Sequence, residues 1–231
     1  MAPQVPASIV LVRHATSIAN LDPTEYLRTP DHTIPLARPD DDEAAVAAGD
    51  VVRGLGFDAA DVCSWCSTYV RCRQTEQLVM RQAFGERWDA IRRRESFLLR
   101  EQEFGDWDGL SEDEIRARDP ERADKRQRLV DVQGRFYFRY PNGESRADVV
   151  QRMSIFLGKV HRSDYRHHVV FLHGVTQRAF RMAWFDRSPE WFEQEPNPRN
   201  ASVMMVVRGP DGRWLERAPR MQTIPPPGLA A

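Results

Sequence analysis

Residues 9–20 read IVLVRHATSIAN, a β-branched apolar run that stops at Arg13 and His14 and then turns polar and helix-ready. A strand of that composition has both faces buried, so its C-terminal end is the first place where side chains can meet a ligand. A guanidinium and an imidazole at such an exit point to an anion, most directly a phosphate. The same grammar recurs in HHVVFLHGV (167–175), where a strand ends in His173. It recurs again in DVCSWCS (61–67), which leads to Arg71 in the first turn of the next helix. In a doubly wound sheet these exits lie along one edge and converge on one anion. Arginine forks and helix N-termini hold its charge without a metal.

Outward from these strands, helical and extended patterns alternate along the chain, which predicts an α/β fold, a layered sheet with helices on both faces. Thr16 or Ser17 caps a short helix after the first strand. LDPTEYLRTPDHTIPLARP (21–39) has no periodicity and is expected to form part of a pocket wall. DDDEAAVAAGDVVRGLGF (40–57) reads as a helix with acids in its first turn; Asp40, Asp41, Asp42 and Glu43 diverge too much to chelate a metal. TYVRCRQTEQLVMRQAF (68–84) is a helix with Ser67 and Thr68 as candidate N-caps.

SFLLREQEFGDWDGLS (96–111) reads as an extended run breaking into a glycine-punctuated loop, with Trp107 as its anchor. SEDEIRARDPERADKRQR (111–128) is a solvated helix broken near Pro120. FYFRYPNGES (136–145) is an aromatic turn opening a helix at Ser145, and a further helix is expected from Thr176 to Phe185. ASVMMVVRG and GRWLER close the sheet as a hairpin around PDG, and the end of the chain, about 221–231, reads as a frayed tail.

The 231 residues are enough for one sizeable core, so a single domain over 1–231 is expected. The charges are abundant but balance to a formal −1, giving no global field for nucleic acid or an acidic membrane surface. The expected partner is a small phosphorylated substrate, with no nucleic acid and no membrane; a homo-oligomer is left open. No apolar stretch approaches the ~20 residues of a membrane span, and MAPQVPAS lacks the regions of a signal peptide, so a cytoplasmic location is expected. Cys63 and Cys66 form a C-x-x-C spacing, but on a strand they point to opposite faces roughly 10 Å apart. With Cys72 they read as small packed apolar residues.

A neutral imidazole is a competent nucleophile toward phosphorus, and a separate acid must then protonate the leaving oxygen. Glu101 is the candidate, because a carboxyl in a partly desolvated pocket can keep a proton to donate and afterwards activate water. Glu103, two residues on, is its competitor. RHATSIAN (13–20), STYVRCRQTEQ (67–77), LREQEFGDWDGL (99–110), PNGES (141–145) and FLHGVT (171–176) stand in the order and spacing of the histidine phosphatase superfamily, which includes the cofactor-dependent phosphoglycerate mutases. The chain resembles that family over nearly its whole length.

The resemblance implies a three-layer α/β/α sandwich on a mostly parallel sheet. It makes His14 the phosphorylated nucleophile, Glu101 the proton donor, and Arg13, Arg71 and His173 the rest of the phosphate pocket, with no cofactor. Asn20 and Ser17 match family positions near the pocket. Ala15 and Thr16 stand where the family usually has a glycine and an acid, which leaves substrate detail open. EQEFG replaces the ERHYG-like stretch typical of the mutases. With RFYFRYPNGES and HGVTQR, it makes the chain look more like the phosphatase-like members. Arg28, Arg135, Arg139 and Arg178 are candidates to extend the pocket, and the FYFRY aromatics to stack on a ring; the alternative is solvated arginines on a packed loop. A mutase-like phosphotransferase and a non-catalytic phospho-ligand binder stay open beside the metal-independent phosphomonoesterase.

Overall fold

The computed structural model describes residues 5–218. Six strands are formed by β1 (Ser8–Arg13), β2 (Val62–Cys66), β3 (Arg92–Glu95), β4 (His167–Leu172), β5 (Val203–Arg208) and β6 (Trp214–Arg217). The α-helices are α1 (Ile18–Leu21), α2 (Glu43–Arg53), α3 (Val70–Phe84), α4 (Glu112–Arg118), α5 (Pro120–Gln133), α6 (Arg146–His161), α7 (Gly174–Phe185) and α8 (Pro189–Gln194). The strands lie in the order β3-β2-β4-β1-β5-β6. The first four run parallel, and the closing hairpin joins antiparallel through β5 on β1.

Strand alternation divides the core between two faces. Ile9, Leu11, Cys63, Trp65, Val170 and Leu172 join buried side chains of α6 and α7. Val10, Val12, Val62, Cys66, Val169 and Phe171 face the opposite way and join those of α2 and α3. The chain is therefore a three-layer α/β/α sandwich with a mostly parallel sheet, as expected. Cys63 and Cys66 fall on opposite faces, and all three cysteines are free and buried.

Three local expectations need correction. The strand after α3 is RRRE at 92–95, not the run beginning at Ser96; Phe97–Leu99 is a single 3-10 turn. This strand is at the sheet's edge with every residue exposed, so nothing selects apolar residues there, and charge on an edge deters pairing with another chain. Helix α3 has Tyr69 at its N-cap rather than Ser67 or Thr68. Helix α7 begins at Gly174, two residues before Thr176, with His173 as its N-cap. The frayed tail expected at 221–231 lies outside the described residues.

Other boundaries agree. Asp119 caps α5 after the break at Pro120, and Ser145 caps α6, its Oγ accepting from Asp148 N–H at 3.1 Å. Among the described residues no helix is long and apolar enough to cross a membrane.

Candidate active site

Register brings the exits together. Arg13 is paired with Leu172 across β1 and β4, and Cys66 with Phe171 across β2 and β4, so His14, His173 and Ser67 leave the sheet side by side. The ladder continues one residue further, His14 N–H donating to Leu172 O at 3.0 Å and Ser67 N–H to Phe171 O at 3.0 Å. The His14 and His173 rings lie with centroids 5.1 Å apart, and both are buried.

A hydrogen bond fixes the tautomer of His14. His14 Nδ1 lies 2.7 Å from Ala15 O, and a carbonyl oxygen only accepts, so Nδ1 carries the proton and Nε2 the lone pair. His173 Nε2 lies 3.0 Å from Ser67 Oγ, which also accepts from Tyr69 N–H, and 3.4 Å from Cys72 Sγ. His173 Nδ1 is the ring nitrogen left without a partner among the described residues. Burial first, then Arg71, pushes both histidines well below the usual imidazole range; Arg13 adds to this for His14, and His14 itself for His173. His14 is thus neutral, the form in which Nε2 is nucleophilic.

Arg71, in the first turn of α3, is buried, with NH1 donating to Asp31 O at 2.7 Å and Oδ1 at 2.6 Å, and NH2 to Oδ2 at 3.3 Å. Asp31 belongs to the aperiodic segment expected to wall the pocket. Arg13 NH1 donates to Pro198 O. Glu101 sits over the first turn of α7, its carboxylate accepting from Val175 N–H at 3.2 Å, Thr176 N–H at 3.3 Å and Gln102 N–H at 3.0 Å. Glu103 instead pairs with Arg100 at 2.8 Å, which leaves Glu101 as the carboxylate beside His173.

Four buried side-chain atoms of this cluster have no hydrogen-bond partner: Arg13 Nε, Ser17 Oγ, Arg71 Nε and His173 Nδ1. Buried polar atoms are normally paired, and Arg13 and Arg71 act on the His14 imidazole while His173 lies 5.1 Å from it, so these three orphans mark a place for a ligand with acceptor oxygens. Asn20 Oδ1 accepts from Ser17 N–H at 3.1 Å and from Asn200 Nδ2 at 2.9 Å; Asn200 also donates to His14 O and Ala15 O. Asn20 therefore shapes the turn under His14. Ala15 is buried in the α2/α3 face, its N–H donating to Thr75 Oγ1 at 2.9 Å, so the methyl that replaces the family's usual hydrogen is absorbed by the core.

Arg178 stands on α7, its buried Nε without a partner. Its NH1 donates to Phe192 O and Glu195 O, at 3.2 and 3.1 Å, and its guanidinium stacks on Phe192 at 4.6 Å, bracing α7 against α8. Arg28, Arg135 and Arg139 are exposed, Arg139 being paired with Asp148. Trp107 anchors its loop as expected, stacked on Phe138 at 5.8 Å and edge-on to Tyr140 at 6.1 Å.

The model of the histidine phosphatase superfamily, branch 1, matches residues 9–219. The chain belongs to the histidine phosphatase superfamily. Among its relatives in that family, the phosphoglycerate mutase-like protein AT74 of Arabidopsis thaliana is 33% identical over 225 residues, covering 91% of this chain and 67% of that protein. The broad-range acid phosphatase DET1 of Saccharomyces cerevisiae is 31% identical over 118 residues, covering 47% of this chain and 32% of DET1. The mycobacterial glucosyl-3-phosphoglycerate phosphatase solved with VO3 has the same fold at a TM-score of 0.67, with 23% identity over 92% of this chain and 98% of that one.

Sequence reasoning passed over two groups in this superfamily member. One is Asp31, whose partner Arg71 is 40 residues away and carries no local signal. The other is the pair Glu144 and Arg152. Arg152 donates to Leu98 O, Arg100 O and Glu101 O and, through Nε and NH2, to both oxygens of Glu144. Glu144, just before the helix start at Ser145, with Arg152 fixes the loop that presents Glu101.

Proposed function

We propose that the chain is a metal-independent phosphomonoesterase that hydrolyses a small phosphorylated metabolite through a phosphohistidine on His14. The observation that carries this reading is the set of buried, unpartnered atoms beside His14, Nε–H of Arg13 and Arg71 and Nδ1 of His173, which phosphate oxygens would satisfy with Nδ1 protonated. His14 Nε2 attacks phosphorus, the bond to the leaving oxygen breaks, and that oxygen takes a proton from Glu101. Water then attacks the phosphohistidine and gives a proton to the Glu101 carboxylate, and the P–N electron pair returns to Nε2. Arg13, Arg71 and His173 Nδ1–H hold the oxygens on which charge builds. Burial, and next Arg71 and Arg13, keep His14 uncharged, as an attack by Nε2 requires.

The test is phosphate release from a panel of phosphorylated metabolites in EDTA, with His14→Ala beside the native chain. The expected result is turnover in EDTA, an acid-labile phosphoenzyme, and loss of both in the variant. Turnover that needs a divalent metal or survives His14→Ala overturns the reading. Isomerised product without free phosphate would establish the mutase reading suggested by the names of the Arabidopsis relatives. Calorimetric binding of a phosphate ester without turnover would establish a binding module.

A further inference from the structure

A cavity of about 600 Å³ opens beside the reacting centre, with Glu101 and Asp31 on its lining. It is therefore the space that a leaving group protonated by Glu101 would enter. Tyr26, Phe104, Trp107 and Tyr140 line it, with Leu110 and Ile115 beyond. The exposed lining is mostly apolar, and the rings have fixed geometry: Phe104 and Tyr140 meet edge-to-face at 5.0 Å, and Trp107 is held by Phe138. A wall of this kind gains by covering another ring or an alicyclic body.

The charge on the wall is mostly negative. Asp31, Asp108, Glu112 and Glu114 line the cavity together with Glu101, against one cation, Arg126. That cation is already paired with Glu112. Asp31 is held by Arg71, whose orphan Nε is committed to the phosphate in the reading above. Burial, and next the neighbouring Asp31, push the Asp108 carboxyl up to about 6.

We propose that the leaving group is the alcohol of an uncharged, ring-bearing body, and that the cavity rejects phosphate esters carrying a second anionic group, such as phosphoglycerates and bisphosphates. This rests on the phosphomonoesterase reading and adds the substrate class. Asp108 is the specificity determinant: it offers an acceptor to a hydroxyl or amine of the ring and repels a carboxylate.

The experiment compares kcat/KM for 2-phenylethyl phosphate, glycerol 3-phosphate and 3-phosphoglycerate, all with alkyl leaving oxygens, so that binding of the body decides the order. The ring ester is expected to exceed glycerol 3-phosphate by at least about tenfold. 3-Phosphoglycerate should fall below glycerol 3-phosphate by about tenfold or more, and Asp108→Asn should narrow that second gap by at least about threefold. Equal rates, or a preference for 3-phosphoglycerate, overturn the inference. If no ester is turned over, the hydrolase reading fails by itself, and calorimetric affinities of the same three compounds judge the cavity: the same order supports the inference, and equal or reversed affinities overturn it.

Discussion

Replacing Arg152 by Met tests whether the loop bearing Glu101 is held from beneath. The buried guanidinium makes five hydrogen bonds: Leu98 O at 2.6 Å, Arg100 O at 2.8 Å, Glu101 O at 3.0 Å, and the two Glu144 oxygens at 2.9 and 3.0 Å. Methionine fills similar space but donates nothing. Three carbonyls lose this donor, and Glu144 keeps only Arg100 NH2 at 2.8 Å and Glu103 N–H at 3.2 Å. Stranding one partner of a buried ion pair costs about 3–5 kcal/mol. For a chain of this length that lowers Tm by roughly 6–20 °C. Denaturant melts of Arg152→Met, Glu144→Gln and the double variant should show coupling of about 1.5–3 kcal/mol, the double variant losing less than the sum. If Glu101 is the proton donor, kcat should fall by roughly 10²-fold with KM little changed, because a misplaced acid spoils the transition state more than substrate binding. Arg152→Lys, which keeps the charge but not the fork, should recover part of the stability and less of kcat. A loss below about 1 kcal/mol, or additive single losses, would refute the brace.

Two further outcomes follow from the same region. Gly105 has φ +59, and a Cβ there would lie 1.9 Å from Pro141 O, so Gly105→Ala should cost at least about 2 kcal/mol. Gly56 has φ +68 with nothing within 4 Å, so Gly56→Ala should cost only about 1 kcal/mol, and equal melts for the two variants would contradict the close approach. Asp108 titrates in the fold near 6, above the unfolded value of about 4, so its stabilising contribution is complete below about pH 4 and is lost as pH rises through 6. Asp108→Asn should therefore gain stability relative to the native chain between pH 4 and pH 8, by about 1–2 kcal/mol once the group's partial exposure is allowed for; a gain that shrinks over that range has the wrong sign.

Legibility in the sequence followed burial. Strands β1, β2 and β4 are covered on both faces, and the apolar runs that this enforces locate them and the residues at their exits. Strand β3 is four exposed charged residues tied to the sheet through its ladder with β2, so composition could not announce it. Ser67 reads as a helix cap because it is a hydroxyl before a helical pattern, but its oxygen is used by His173. Arg178 looked like a pocket residue because it stands one turn beyond His173, and only the packing of α8 shows where its guanidinium goes. Asp31 pairs with Arg71, 40 residues away, and Arg152 reaches the Arg100 carbonyl, 52 residues away, contacts that leave no local signal in the sequence.

The histidines occupy the ends of strands that also form the core, whereas the aromatic cavity is walled by residues between Pro23 and Asp31 and between Glu101 and Tyr140, with a small cluster of their own around Trp107, Ile115 and Ala123. Heritable change can therefore reach the two at different rates. A substitution beside His14 is tested at once by the folding of the sheet, but one at Tyr26 or Phe104 is tested chiefly by what the chain can use. Descendants of one such scaffold can drift apart in diet while their reactive centre stays the same.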